Sequence, residues 1–287
     1  MKVRKAVIPV AGFGTRFLPA TRAVPKNLLP VLDTPVIHFA VEEAAKAGIE
    51  HIVLVMSQRQ EAMGYYFGKY TELELALEKK GNKAMLEKML AIPKMVEISY
   101  VYQHEQMGLG HAVKTAKAVV GREPFAVFLP DDIIWSEKPT IGSMIDLYNQ
   151  YQSIVLAIKQ VPDEMVPNLG IVAGNQIADQ VYQVTKMVEK PKLADAPSNL
   201  AIIGRYVLPP EIFDVLDRTK PGAIGEIQLT DAMATLMSST GKAYGYKFHG
   251  AHFDTGVPLG MLKASVYAAM KREDLAPQLK EWLKKYQ

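Results

Sequence analysis

The chain reads as an α/β protein built on one mixed, mainly parallel sheet flanked by helices. Three observations predict this: short continuous apolar runs at Ala6–Val10, Ile52–Met56 and Phe125–Leu129, amphipathic segments between them, and a glycine turn directly after the first run. An apolar run bounded by turn signals suits a strand buried on both faces, as parallel sheets require. Strands alternating with helical crossovers point to a doubly wound arrangement.

The elements follow in order. After the first strand and its glycine loop, Asp33 or Thr34 is placed to cap a helix with Pro35 at its first position and Gly48 at its end. Ile37, Ala40, Val41 and Ala44 share one face of that helix. The stretch from Tyr65 to Leu90 is charged and helical, with Leu73, Leu75 and Leu77 among Glu and Lys residues, and reads as a surface excursion. Val96–Tyr102 alternates as a strand does, and His111–Val119 reads as a short helix. In the second half Ile154–Ile158, Val181–Val188, Leu200–Val207 and Tyr244–Phe248 read as strands. Pro209–Leu216 and Ile227–Met237 read as helices, and Leu275–Tyr286 as an amphipathic tail helix. No repeat, low-complexity tract or linker interrupts the chain. One domain over 1–287 is expected, with a first half at about 1–135, a second half at about 136–260 and C-terminal helices at 261–287.

Composition narrows the function. Hydrophobic residues make up 49% and charged residues 22% of the 287, which predicts a packed globular core. The net charge of +3, from 33 basic and 30 acidic side chains, is too small to argue for nucleic acid or a membrane as partner. Cysteine is absent, which excludes disulfides and thiolate metal sites. The run Ala6–Val10 is too short for a signal peptide, and no segment approaches the roughly 20 apolar residues a membrane span needs. A cytoplasmic location is expected.

The most informative stretch is Gly12-Phe13-Gly14-Thr15-Arg16-Phe17-Leu18-Pro19-Ala20-Thr21-Arg22-Ala23-Val24-Pro25-Lys26. Glycines after a buried strand let the backbone approach a ligand and present N–H groups to an anion. Arg16 adds a forked cation and Lys26 a point charge, a combination suited to a polyphosphate at the carboxyl end of a strand. A dinucleotide fingerprint would need a third glycine where Phe17 stands, and the P-loop pattern is absent. A plain turn with solvated basic residues is the remaining alternative.

This stretch resembles the G-x-G-T-R-x-x-P-x-T-x-x-x-P-K motif of the sugar-nucleotide pyrophosphorylases at every fixed position. The resemblance continues through Gln103 and Gly108-Leu109-Gly110-His111-Ala112, Leu129-Pro130-Asp131, Gly170-Ile171-Val172, Glu189-Lys190-Pro191-Lys192, Ser198-Asn199-Leu200-Ala201, Gly225–Asp231 and Asp254-Thr255-Gly256. It implies a Rossmann-like nucleotidyltransferase sheet of the glycosyltransferase-A kind. It also implies Mg²⁺-dependent transfer of a uridylyl group from UTP to glucose 1-phosphate, in a homodimer or homotetramer. A thymidylyltransferase and a weakly active regulatory homologue are the competing readings, and the second is expected to lack the Gly-Thr-Arg or metal residues that this chain keeps.

The resemblance also assigns roles. Arg16, Lys26 and Lys190 become the catalytic cations, Lys190 on the sugar phosphate. Ala11, Gly12, Gly14, Thr15, Gln103 and Gly108 become the nucleotide side; a glutamine amide donates and accepts, which suits a uracil edge. Gly170, Glu189 and Asn199 become the sugar side. Asp131 and Asp254 become the Mg²⁺ ligands, although a carboxylate at either place would also serve to cap the next turn or helix. Asp132 is read as structural, His111 as a helix-start residue, and the methionines as core filler. The chain departs from the family pattern at Asn27, Leu169 and Pro258, which leave the triphosphate side intact and bear on the sugar side.

Overall fold

A computed structural model describes residues 2–58, 60–222 and 225–286. The strands are β1 (Lys5–Pro9), β2 (Pro30–Val31), β3 (Thr34–Pro35), β4 (His51–Met56), β5 (Glu97–Tyr102), β6 (Phe125–Phe128), β7 (Asp132–Trp135), β8 (Ile154–Gln160), β9 (Gly170–Ala178), β10 (Val181–Glu189), β11 (Leu200–Leu208), β12 (Ala243–Lys247) and β13 (Ala251–Asp254). The helices are α1 (Val36–Lys46), α2 (Ala62–Phe67), α3 (Thr71–Lys79), α4 (Lys83–Ala91), α5 (Leu109–Thr115), α6 (Lys117–Val120), α7 (Thr140–Tyr151), α8 (Ile212–Leu216), α9 (Leu229–Thr240), α10 (Pro258–Met270) and α11 (Ala276–Leu283).

Nine strands form one sheet in the order β5-β4-β1-β6-β11-β8-β12-β10-β9. The expected mixed sheet is present, and its parallel run is β5-β4-β1-β6. Antiparallel β11 joins that run to the second half, where β8 and β12 pair parallel and β10 and β9 antiparallel. The reason lies in the connections: β9 and β10 are joined by a tight turn, which only an antiparallel pair allows. A second, two-stranded ribbon pairs β7 with β13.

Side-chain alternation along β1 sends Ala6 and Ile8 to one face and Val7 to the other. On the first face they meet Ile37, Ala40, Val41 and Ala44 of α1, the four residues that share a stripe in the sequence. On the second face Phe125 stacks on Phe213 with ring centroids 4.8 Å apart. Among the described residues no helix is long and apolar enough to cross a membrane.

Several local expectations need correction. Neither Asp33 nor Thr34 caps α1: Pro35 takes the cap position without a side-chain bond, and the Val36 N–H donates instead to the Leu29 carbonyl. Leu32, with a left-handed φ of 61°, and Asp33 turn the β2–β3 hairpin, Thr34 begins β3, and Asp33 pairs with Arg272 at 2.6 Å. The charged excursion is three helices, not one; Gly81 adopts a left-handed φ of 66° and Asn82 accepts from the Met85 N–H, so one helix ends and the next is capped. Helix α5 starts two residues before His111 and breaks from α6 at Ala116. Strands β7, β9 and β13 and helix α7 carry no expectation from the sequence.

One buried ion pair ties the layers together. Arg205 of β11, 1% exposed, donates through Nε and Nη2 to Oε2 of Glu43 in α1 at 3.0 and 2.8 Å. Its Nη1 donates to the carbonyls of Leu129 and Gly204, and its guanidinium lies over the Phe128 ring. Glu43 Oε1 accepts the Ile141 N–H at the start of α7. Every charge here is satisfied, so removing one partner strands the other in a dry site. E43A is expected to cost roughly 3–5 kcal/mol of stability, read as a lowered urea midpoint, while the paired change E43L/R205M loses less.

Candidate active site

The sheet leaves a crevice at the carboxyl ends of β1, β5 and β6, the place where open α/β sheets bind ligands. Its volume is about 320 Å³, and Ala11, Gly12, Lys26, Gln103, Gly108 and Asp131 all line it. Six residues that are up to 120 positions apart in the chain thus converge, as their sequence motifs imply. A larger groove of about 940 Å³ beside α10 is lined by other residues, among them Leu32, Trp135 and Tyr267, and contains none of the expected site residues.

The floor is made by the end of β1. The Val10 N–H still donates to Val55, while the Val10 carbonyl accepts from Gln60 Nε2 at 2.8 Å and Asn27 Nδ2 at 3.5 Å. The Ala11 carbonyl accepts from Gln106 Nε2 at 2.7 Å. Gly14 then takes a left-handed φ of 67°, where a Cβ would stand 2.7 Å from that of Lys26, so only glycine fits. Thr15 and Arg16 follow in a short 3₁₀ turn and are exposed. The Arg16 charge reaches Asp254.

On the opposite wall, the Gln103 N–H donates to Met56, which fixes the residue at the end of β5. The side chain is buried, and its Nε2 lies 3.4 Å from the Gly108 carbonyl and 2.9 Å from His111 Nδ1. Gly108 has φ 94°, and a Cβ there would meet Glu226 Cβ at 2.8 Å and the Ile227 carbonyl at 2.9 Å. The Gly225–Asp231 segment therefore backs the Gly108–Gly110 turn, with the Ile227 N–H donating to Met107 and the Gly110 N–H to Ile227.

Two acidic residues meet at the ribbon of β7 and β13. Asp131 precedes β7, and its carbonyl accepts from both N–H and Oγ1 of Thr255, at 2.7 and 2.8 Å. Asp254 ends β13, and its Oδ1 accepts the Gly256 N–H. A Cβ on Gly256 would stand 2.8 Å from Asp254 Oδ1 and 2.9 Å from Asp131 Oδ2, so both carboxylates converge on one point. Loss of surrounding water lifts the Asp254 carboxyl above the usual range; Asp132 and Asp131 push the same way, against the Gly256 N–H and Arg16. Lys26 Nζ sits 2.6 Å from Asp131 Oδ2. Asp132 holds a structural place, 2.6 Å from Nε2 of His252. An all-oxygen pair with an ammonium already drawn onto it fits a hard divalent cation, which needs only one or two protein carboxylates when phosphates supply other ligands. Among the described residues no group of three or more His, Cys, Asp or Glu is placed to hold a metal ion, so the protein's carboxylates here number two.

The residues expected on the sugar side, Gly170, Glu189, Lys190 and Asn199, are not among those lining this crevice; they gather where β9 and β11 begin and β10 ends. Glu189 ends β10 directly opposite Gly170 of β9, and its Oε2 accepts from Thr230 Oγ1 at 2.7 Å. Lys190 follows with a left-handed φ of 45°; its N–H donates to Leu169 and its Nζ stands 3.6 Å from Glu189 Oε1. Asn199 sits just before β11, its carbonyl accepting the Val161 N–H, beside Ser198, whose Oγ donates to Val172. Tyr206 is buried within reach of both sets of carboxylates: burial, and then the charges of Glu189, Asp132 and Asp131, drive its phenol far above the usual range. Sequence reasoning did not single out Gln60, Gln106, Thr230, His252 or Thr255. Thr230 and Thr255 lie inside quoted motifs, so only their partners were hidden; the other three carry no local signal.

The nucleotidyl transferase family profile matches residues 5–271. The chain is 46% identical over 283 residues to the UTP–glucose-1-phosphate uridylyltransferase of Staphylococcus epidermidis, covering 99% of this chain and 98% of that protein. The UTP-bound UGPase from Acinetobacter baumannii superposes with a TM-score of 0.91 at 39% identity, over 99% of this chain and 100% of that one. A UDP-glucose pyrophosphorylase complexed with UDP-glucose superposes with a TM-score of 0.84 at 41% identity, over 94% and 100%. Matched by the family profile over nearly its whole length and 46% identical to a full-length relative, this protein belongs to the nucleotidyl transferase family.

Proposed function

We propose that the protein transfers a uridylyl group from UTP to α-D-glucose 1-phosphate, giving UDP-glucose and pyrophosphate. The observation that carries this reading is the single crevice in which the glycine turn, Lys26, Gln103, Gly108 and Asp131 meet. The near full-length likeness to uridylyltransferases supports it. Residues about 1–135 would serve the nucleotide and about 136–260 the sugar.

A phosphate oxygen of glucose 1-phosphate attacks the α-phosphorus of UTP. A new P–O bond forms as the bond to the bridging oxygen breaks, and pyrophosphate carries the electron pair away. The nucleophile is already an anion, so no serine, cysteine or general base is called for. The barrier comes from repulsion between two polyanions, and positioning with fixed positive charge is the remedy. Lys190, held by its own backbone turn, binds the sugar phosphate, while Glu189 accepts from sugar hydroxyls beside Gly170 and Asn199. Arg16 and Lys26 neutralise the leaving pyrophosphate, and the N–H groups from Ala11 to Thr15 face the triphosphate and base. Asp131 and Asp254 would hold Mg²⁺, which when bound screens phosphate charge and polarises phosphoryl oxygens. The same reading includes a homodimer or homotetramer in the cytoplasm, and light scattering on the purified protein reports the former.

Three outcomes are expected. R16A and K190A each lower kcat/KM by roughly 10²–10³ in a pyrophosphate-release assay; near-normal turnover removes that residue from the mechanism. EDTA abolishes turnover and added Mg²⁺ restores it, with D254A raising the half-saturating Mg²⁺ at least about tenfold. Among nucleotides tested with glucose 1-phosphate, UTP is the preferred donor, and a preference for dTTP overturns the assignment.

A further inference from the structure

We propose that His111 is a positioning residue that sets which base the crevice accepts, by holding the Gln103 amide in one orientation. This rests on the reading of the crevice as a UTP site. One atom beside Gln103 has no choice of role. The Gly108 carbonyl only accepts, and it lies 3.4 Å from the Gln103 amide nitrogen. Turning the amide over would set carbonyl oxygen against carbonyl oxygen, so Nε2 faces Gly108. The same nitrogen lies 2.9 Å from His111 Nδ1. That ring nitrogen must therefore accept, which leaves the His111 proton on Nε2.

Both amide hydrogens are thereby committed to protein, and Oε1 is what this crevice-lining side chain has left to offer. Oε1 is neither bonded to another described residue nor sealed in the core. An outward acceptor calls for a donor on the base. Uracil and thymine supply one at their N3–H. Cytosine presents a lone pair at N3 and is repelled, and the acceptor would stay unpaired on a buried side chain.

His111 has the rigidity this task needs. It lies in α5, its carbonyl accepts from Thr115 Oγ1, and the Gly110 N–H beside it donates to Ile227. The other hydrogen bond, to Gly108, is longer than the histidine contact, so the ring is the stronger of the two clamps.

The test measures kcat/KM with UTP, dTTP and CTP in the wild type, H111F and H111N, all with glucose 1-phosphate and Mg²⁺. H111F keeps a ring and removes the acceptor; H111N places an amide oxygen near the position of Nδ1. H111F is expected to compress the UTP-to-CTP ratio by about tenfold or more, chiefly through KM, while leaving the UTP-to-dTTP ratio unchanged, because both of those bases show the same N3–H. H111N is expected to retain the wild-type ratios. If H111F does not fold, H111L makes the same comparison. A wild-type UTP-to-CTP ratio surviving in H111F or H111L overturns the role of His111. So does an equal shift of the UTP-to-dTTP ratio, which marks general loosening. A wild type that does not use UTP overturns the uridylyl-transfer reading itself, a distinct result.

Discussion

The turn from Leu129 to Asp132 is the piece on which the site depends, because three separate parts of the chain grip it. Arg205 holds the Leu129 carbonyl from inside the sheet, and the Leu129 N–H donates to Gly204 of the same strand. Thr255 holds the Asp131 carbonyl from the ribbon, Lys26 takes the Asp131 carboxylate from the glycine loop, and His252 takes Asp132. A carboxylate at a strand end has many rotamers; one whose backbone is fixed on both sides has few. The cost of ordering Asp131 is thus met during folding rather than on ligand binding. The Arg205–Glu43 pair extends the same grip to α1 and α7, so the layer packing and the site share one polar hub.

How much of this was legible in the sequence follows from the range of each interaction. Strands β1, β4 and β6 announced themselves because a run buried on both faces is apolar at every position. The glycine loop announced itself because its left-handed backbone at Gly14 and its cations are consecutive residues. Gln103, Gly108, Asp131, Glu189 and Lys190 were reached through motifs, and the crevice gathers the first three with Lys26. Strand β7 and its partner β13 escaped because each is four residues long and half exposed. The cap of α1 was misread for a related reason: Asp33 and Thr34 look like capping residues in isolation, but Leu29 supplies the acceptor from a neighbouring turn. No spacing rule reveals that His252 would meet Asp132, or that Gln106 would hold Ala11, since those pairs exist only once the sheet is assembled.

The departures from the family pattern acquire a physical setting. Pro258 opens α10, where a fixed φ and a missing N–H cost nothing. Leu169 lends its carbonyl to the Lys190 N–H, a backbone duty that any residue performs. Asn27 is the more consequential change. It is 1% exposed, it makes only a long contact to Val10, and its Oδ1 is the buried side-chain acceptor left unmatched among the described residues.

The site divides its labour by exposure. The groups that wall the crevice opposite the acidic pair are buried or closely held: Gln103 is 4% exposed with its amide nitrogen committed to Gly108 and His111, Gly108 is closed in by Glu226 and Ile227, and Ala11 is tied to Gln106. The cations behave differently, for Arg16 and Lys190 are exposed and only loosely partnered. Each arrangement suits its task. Discrimination between bases depends on leaving the wrong one unpaired, which works only where water cannot compensate, so selective groups belong in the dry part of the crevice. Capture of polyanions depends on long-range charge, which an exposed side chain on a short turn supplies while still adapting to the phosphates it meets. Lys26 stands at the border of the two regimes, part-buried and 2.6 Å from Asp131, and it joins the buried floor to the exposed cations. A rigid selector beside adaptable charges suits the proposed reaction between a chosen nucleotide and a second anion.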